Sequence, residues 1–155
     1  YALDKYVAEQ GEFLTNKIKN MIVENPDIIN KQKKDIIYVI SPFKNVAYQL
    51  SKELNKIEFT RYDKKGKPTN IGTVHTFQGK EAPIVFFVLG ADKKCIGAAN
   101  WAVGTDNPNI MNVAVTRAKE EFYIIGDKEM YLSLNSDVIN DTCKIIEKHN
   151  MNTSL

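Results

Sequence analysis

The chain has 155 residues, 43% of them hydrophobic and 26% charged, and its 21 basic and 19 acidic side chains leave a formal net charge of +2. This length and composition suit one globular domain with its own hydrophobic core. They exclude a disordered chain, a collagen-like repeat and a disulfide scaffold, and a net charge this small does not by itself indicate nucleic-acid binding.

The basic residues are concentrated in the first half of the chain. Residues 1–70 carry 13 Lys/Arg against 9 Asp/Glu, a net charge of +4, whereas residues 71–155 carry 8 against 10, a net charge of −2. The excess is sharpest over residues 44–67, with 7 basic and 3 acidic side chains. Such a stretch predicts either a solvated surface or a local basic lining.

The cellular context is indicated by the cysteines and by the start of the chain. Cys95 and Cys143 are the only cysteines, and they lack a zinc-binding spacing. Two cysteines in a lysine-rich chain favour a reducing compartment over a disulfide framework, so we expect a cytoplasmic protein. The longest apolar run, residues 84–89, is too short to cross a bilayer, and we expect no membrane partner. The chain begins at Tyr1 rather than Met, so we expect it to be part of a longer polypeptide.

The first predicted element is an amphipathic helix that ends before Pro26. Its apolar stripe consists of Leu3, Val7, Leu14, Ile18, Met21 and Ile22. A second helix is predicted with Ser41 as its N-cap and Pro42 in its first position. The last helices are predicted from Asp127 onward, with apolar residues up to Ile146.

Three short apolar runs, at residues 36–40, 84–89 and 122–125, do not alternate with polar residues. Continuous β-branched and aromatic runs suit parallel strands that are buried on both faces. A shorter strand is predicted over Ile71–Val74. Strands that alternate with helices predict a doubly wound α/β domain, with a mainly parallel sheet flanked by helices.

The loops suggest where a ligand would bind. In open α/β sheets, ligands bind outside the carboxyl ends of the strands. A ligand site is therefore expected just after Ile40, Leu89 and Ile125 and after the short strand. Residues 60–70 read as an exposed loop, and residues 91–109, with Trp101, are long enough to suggest a functional loop. Gly66-Lys67-Pro68-Thr69 is no P-loop, because Pro68 stands where the P-loop requires Ser or Thr.

Two segments are rich in residues that carry chemistry. Residues 73–81 read Thr-Val-His-Thr-Phe-Gln-Gly-Lys-Glu and precede the most apolar strand. Residues 112–119 read Asn-Val-Ala-Val-Thr-Arg-Ala-Lys, so that Arg117 follows an apolar helical stretch and precedes a strand. Taken singly, the first suits a turn with a capping threonine, and the second suits a surface arginine at a helix C-terminus.

Together, in this order, the two segments resemble motifs V and VI of superfamily 1 helicases. Residues 35–43 are similar to the strand that carries motif IV, so the resemblance covers residues 35–130. The residues of these motifs are similar to those of the group that includes the nonsense-mediated-decay and UvrD-like helicases. The resemblance implies a C-terminal RecA-like domain, with an N-terminal segment at 1–34, a motif-bearing core at 35–130 and a C-terminal helix and tail at 131–155.

The family also implies roles for individual residues. ATP would bind between this domain and an N-terminal RecA-like domain of the same polypeptide, which would hold Mg²⁺. Arg117 would be the arginine finger, Glu81 would accept a hydrogen bond from the ribose, and Gly79 would let the backbone approach the nucleotide. Gln78 would couple the nucleotide to the nucleic acid. Single-stranded DNA or RNA would lie against Ser41, Pro42, Thr73, His75 and Thr76.

Two other readings of the residues compete with this one, and the residues speak against the second. The chain also suits a non-catalytic α/β module that binds single-stranded nucleic acid or a protein partner. A flavodoxin-like receiver would place an acidic cluster after the first strand, where Ser41-Pro42-Phe43 has none. Because the chain lacks a P-loop, we expect the isolated domain to be inactive as an ATPase.

Overall fold

The computed structural model describes residues 2–3, 6–90, 109–126 and 153–154. Its helices are α1 (Ala8–Glu24), α2 (Lys44–Asn55) and α3 (Asn109–Thr116), with 3-10 turns at Pro26–Ile29 and Val74–Phe77. Its strands are β1 (Ala2–Leu3), β2 (Tyr6–Val7), β3 (Ile37–Ile40), β4 (Ile71–Gly72), β5 (Ala82–Val88), β6 (Ala118–Ile125) and β7 (Thr153–Ser154).

The central sheet is parallel, in the order β4-β3-β5-β6-β7. The three apolar runs form β3, β5 and β6, and the short strand predicted over Ile71–Val74 is β4, which ends at Gly72. The predicted α/β class with a mainly parallel sheet and flanking helices is therefore confirmed. Strand residues of both faces are buried, since each face is covered by other elements.

The two faces of the sheet have different covers. On one face Phe86 stacks on Tyr123 at 5.0 Å, and Lys17 of α1 lies 5.5 Å from the Tyr123 ring centre. On the other face Phe77 packs on Tyr38, with ring centres 4.4 Å apart. Because side chains alternate along a strand, the 3-10 turn at Val74–Phe77 and the helix α1 lie on opposite sides of the sheet.

The first helix is shorter than predicted. Leu3 and Val7, assigned by pattern to the helical stripe, lie instead in the antiparallel pair of β1 and β2, and α1 begins at Ala8. Tyr and Val have high strand propensity, which favours the extended backbone seen at Tyr6–Val7. The buried Gln10 side chain then accepts the Gly90 N–H at 2.9 Å, which ties the start of α1 to the end of β5.

The second helix begins at Lys44, so the prediction of Ser41 as N-cap and Pro42 as first helical residue is wrong. Ser41 still belongs to the sheet, because its N–H donates to Gly72 O at 3.0 Å. Its hydroxyl accepts the Phe43 N–H at 3.2 Å and so closes a local turn before the helix. The predicted helices after Asp127 and the loop with Trp101 lie outside the described residues.

Candidate functional site

A tight turn lies at the amino end of β5. The Phe77 carbonyl accepts the Lys80 N–H at 2.9 Å. Gln78 has φ −57° and ψ 123°, and Gly79 has φ +73°, as in a type II turn. Glycine suits Gly79 because side chains disfavour this left-handed backbone. Packing of Phe77 against Tyr38 anchors the turn to the sheet.

Arg117 connects three elements at this point. Its N–H donates to Ala114 O at 3.1 Å and so ends α3, and its carbonyl accepts the Ala82 N–H at 3.0 Å where β5 begins. Its guanidinium donates through Nη1 to the carbonyls of Phe77, at 3.2 Å, and of Lys80, at 3.3 Å. Residues 37 and 40 positions apart in sequence are thus brought together, and with them the two motif-like segments.

The remaining contacts of the Arg117 side chain are also with neutral oxygens. Nε donates to Val113 O at 3.3 Å, and Nη2 donates to Thr116 Oγ1 at 3.1 Å. The Val113 contact satisfies a carbonyl at the end of α3, as a basic residue at a helix C-terminus does. Within the described residues no carboxylate lies within 4.0 Å of the guanidinium. Among the described residues its positive charge therefore has no counter-charge.

Three other predicted site residues lie in or beside the turn. Gln78, Gly79 and Glu81 are exposed, and a Cβ placed on Gly79 would meet no atom within 4 Å. The backbone of the turn is therefore open to close approach by a ligand. The structure brings these residues together with Arg117 at one edge of the sheet.

The five residues predicted to face nucleic acid have different surroundings. Ser41 and Pro42 are buried, so in this conformation neither side chain is available to a strand. His75 is exposed, and Thr73 and Thr76 are half-buried. Thr76 packs on Gly72, where a Cβ would overlap the threonine side chain. Among the five, His75 is therefore the most accessible, and Thr73 and Thr76 are partly exposed.

The site lies only partly at the edge where the sequence analysis places it. Thr73 follows the carboxyl end of β4, as expected, but Arg117 and the Gly79 turn lie at the amino ends of β6 and β5. The reason is the path of residues 73–81, which leave β4 and pass over β3 before they enter β5. The general rule for open sheets locates the first half of this segment and not the second.

The groups that hold Arg117 leave no signal in the sequence. They are backbone carbonyls of Phe77 and Lys80, and a carbonyl carries no residue-specific signal. The available sign is Gly79, since a glycine that requires positive φ indicates a turn with fixed carbonyl directions. No group of three or more His, Cys, Asp or Glu in the described ranges is arranged to hold a metal ion. No helix in these ranges is long and apolar enough to cross a membrane.

Comparison with known proteins agrees with this architecture. A family described as AAA domain matches residues 6–129. The helicase sen1 of Schizosaccharomyces pombe is 30% identical to the chain over 130 residues, which are 82% of this chain and 7% of that protein. The chain therefore spans a small part of the length of the curated relative that it matches.

The matched region contains both the turn and Arg117, and it covers most of the chain. The parallel sheet and the order of the elements are those of a RecA-like fold. The chain accordingly belongs to the AAA domain family, as a superfamily 1 helicase-type domain.

Proposed function

We propose that this chain is the C-terminal motor domain of an ATP-dependent superfamily 1 DNA or RNA helicase, in which Arg117 is the arginine finger. The observation that supports this most directly is the guanidinium of Arg117, which is fixed at the exposed Gly79 turn and has only neutral oxygens as partners in the described part of the chain. A cation held in place without a counter-charge suits an anionic ligand such as phosphate.

The chemistry assigned to Arg117 is electrostatic. ATP supplies a phosphoryl group whose transfer to water spreads negative charge over its oxygens. An arginine from a separate domain stabilises that charge and accelerates hydrolysis by about 10³–10⁵-fold in related NTPases. The fork of Arg117 has donors in one plane, which matches phosphate oxygens better than a lysine does.

The other residues of the turn have positioning roles in this proposal. Gly79 leaves room for the nucleotide to approach the backbone, and the exposed Glu81 carboxylate accepts a hydrogen bond from the ribose hydroxyl. Gln78, which lies in the turn and follows Thr73 by five residues, connects the nucleotide to the nucleic-acid strand. The N-terminal RecA-like domain of the same polypeptide supplies the P-loop and the Mg²⁺ ligands, and the isolated chain is inactive.

Nucleic acid is assigned to the accessible part of residues 73–76. Thr73 and His75 provide polar groups at the carboxyl edge of the sheet. Such groups position a phosphate backbone without reading its sequence. The low cysteine content supports a cytoplasmic location.

The experiment that tests the function is ATP hydrolysis by the full-length protein, with and without single-stranded DNA or RNA. We expect hydrolysis stimulated by at least one of the polymers and none by the isolated chain. Absence of hydrolysis with both polymers, in a protein that binds them, would instead support the non-catalytic binding module.

A further inference from the structure

A second arginine, Arg61, joins two turns beside the amino end of β3. Its Nη1 donates to Lys33 O at 2.7 Å and its Nη2 donates to Asn30 O at 2.8 Å. Its Nε lies 3.3 Å from Asp35 Oδ1, and the arginine side chain is 14% exposed. These contacts fix residues 30–34 against the segment that leads from α2 to β4.

That segment is an ordered hairpin rather than a loose loop. Tyr62 pairs with Pro68 in an antiparallel bridge, and Asp63 N–H donates to Lys67 O at 2.9 Å. Asp63 Oδ1 accepts the N–H groups of Lys65 and Lys67, at 2.8 and 2.9 Å. The one carboxylate of the hairpin is therefore turned into its own backbone, and the lysines are held at the tip.

We define the Arg61 surface as residues 30–35 and 61–67, which carry 7 basic and 2 acidic side chains, a net charge of +5. Its lysines are all exposed, and none lies within 4.0 Å of a carboxylate in the described part of the chain. They are Lys31, Lys33, Lys34, Lys64, Lys65 and Lys67. Tyr62, 46% exposed, adds an aromatic face among them.

This surface is separate from the edge of the sheet where Thr73 begins. Residues 30–35 lead into the amino end of β3, whereas Thr73 follows the carboxyl end of β4, which pairs with β3 in parallel. The four residues of β3 alone span about 13 Å. A strand that lies at Thr73 and His75 therefore has to extend well beyond them to reach the lysines.

We propose that the Arg61 surface is a second nucleic-acid contact, which binds the phosphate backbone of a strand that extends beyond the site at Thr73. Exposed lysines without acidic partners attract a polyanion, and their contribution to binding is measured as the salt dependence of the affinity. An exposed tyrosine beside them offers a stacking face for a base. The choice of nucleic acid over another polyanion rests on the proposed function, whereas the existence of an anion-binding surface rests on the charge and order of the two turns.

The test measures binding of fluorescent oligo(dT) to the full-length protein by anisotropy, over a series of salt concentrations. The variant is Lys64→Gln/Lys65→Gln, and the matched control is Lys19→Gln/Lys119→Gln, two exposed lysines outside the surface. For a strand of about 30 nucleotides we expect the salt slope to fall by about 1.4, which is an affinity loss of about 25-fold at 0.1 M salt. For a strand of about 8 nucleotides, which fits one site, we expect no change.

Three results would overturn the proposal. One is an unchanged affinity for the long strand, equal to that of the control. Another is an equal loss for the short and long strands, which would place the lysines in the first site. The third is an unchanged nucleic-acid affinity with weakened binding of polyglutamate, which would indicate an acidic protein partner.

A second variant, Arg61→Gln, keeps the six lysines but removes the contacts that hold the two turns together. We expect a smaller loss of long-strand affinity than in the double lysine variant, and circular dichroism checks that the domain remains folded. Full affinity for the long strand would show that binding does not depend on the order of the two turns. A protein that lacks ATP hydrolysis but shows the length-dependent loss would refute the motor function and leave this surface standing.

Discussion

Arg61 and Arg117 perform the same structural task in two different ways. Each donates to two backbone carbonyls and so joins segments that are distant in sequence. Arg61 does so at 2.7 and 2.8 Å and also faces the Asp35 carboxylate. Arg117 does so at 3.2 and 3.3 Å, and all its side-chain partners among the described residues are neutral.

The difference indicates which arginine is committed to the fold. Hydrogen bonds from a charged donor are strongest at about 2.7–2.9 Å, a range that Arg61 meets and Arg117 does not. A neighbouring carboxylate also neutralises Arg61 locally, whereas no carboxylate of residues 6–90 or 109–126 offsets the charge of Arg117. We therefore interpret Arg61 as a structural clamp and Arg117 as a cation that a phosphate can recruit.

The largest expected effect is on turnover. Arg117→Ala in the full-length protein should lower polymer-stimulated ATP hydrolysis by about 10³–10⁵-fold, because the developing phosphoryl charge loses its stabilising partner. The loss of folding stability should be only about 1 kcal/mol, since long hydrogen bonds to carbonyls are removed. Stopped assays of phosphate release and urea unfolding measure the two quantities.

Lys119→Ala is the control for that variant, because it removes one positive charge two residues away on β6. It should hydrolyse ATP like the wild type. Near-normal turnover in Arg117→Ala would show that Arg117 is a structural clamp like Arg61, with no role in hydrolysis.

The next effect is on stability. Arg61→Ala should lower the free energy of unfolding by about 1–3 kcal/mol, because the removal leaves the partly buried Asp35 without its cation and two carbonyls without a donor. Arg61→Ala/Asp35→Asn should recover part of the loss, as expected for a coupled pair. Additive losses in the double variant would mean that the carboxylate is not what distinguishes the two arginines.

A smaller effect compares the two turns through their glycines. Gly79 and Gly66 have φ of +73° and +80°, and a Cβ on either meets nothing within 4 Å. Replacement by alanine should cost about 1 kcal/mol at each position, from backbone strain alone. Gly79→Ala should in addition weaken nucleotide binding by the full-length protein, which fluorescence titration with an ATP analogue measures. Unchanged nucleotide affinity would remove Gly79 from the site.

The smallest effect concerns the dependence of stability on pH. Burial raises the pKa of the Asp35 carboxyl above its ordinary value of 3.8, although the charges of Arg61 and Lys80 act in the opposite direction. The folded state thus binds the proton of the Asp35 carboxyl more tightly than the unfolded state does. The stabilisation that results is complete below pH 3.8 and is lost as the pH rises through the raised pKa.

Asp35→Asn removes that step. The stability of the variant relative to the wild type should therefore increase with pH, from about pH 3 to about pH 7, in urea unfolding at a series of pH values. A constant or falling difference would show that the ion pair with Arg61 outweighs the burial of the carboxylate.

The sequence predicts the strands better than the helix starts, and the reason is local. Continuous apolar runs at β3, β5 and β6 leave a buried strand as the favoured structure. The start of α2 is misassigned because Ser41 and Pro42 suit a helix start by composition, while the pairing of Ser41 with Gly72 keeps the backbone extended. Pairing with a residue 31 positions away is not visible in a local pattern.

The sequence by itself determined the α/β class, the order of the strands along the chain and the two segments that resemble helicase motifs, because hydrophobic periodicity and residue identity are local properties. Only the tertiary structure decided that Arg117 reaches the Gly79 turn and that Ser41 and Pro42 are buried. It also decided that Arg61 holds together two turns that carry lysines. Each of these depends on backbone carbonyls or strand pairing between distant residues. The positions of these backbone groups are set by the packing of the chain, and no local residue pattern reveals them.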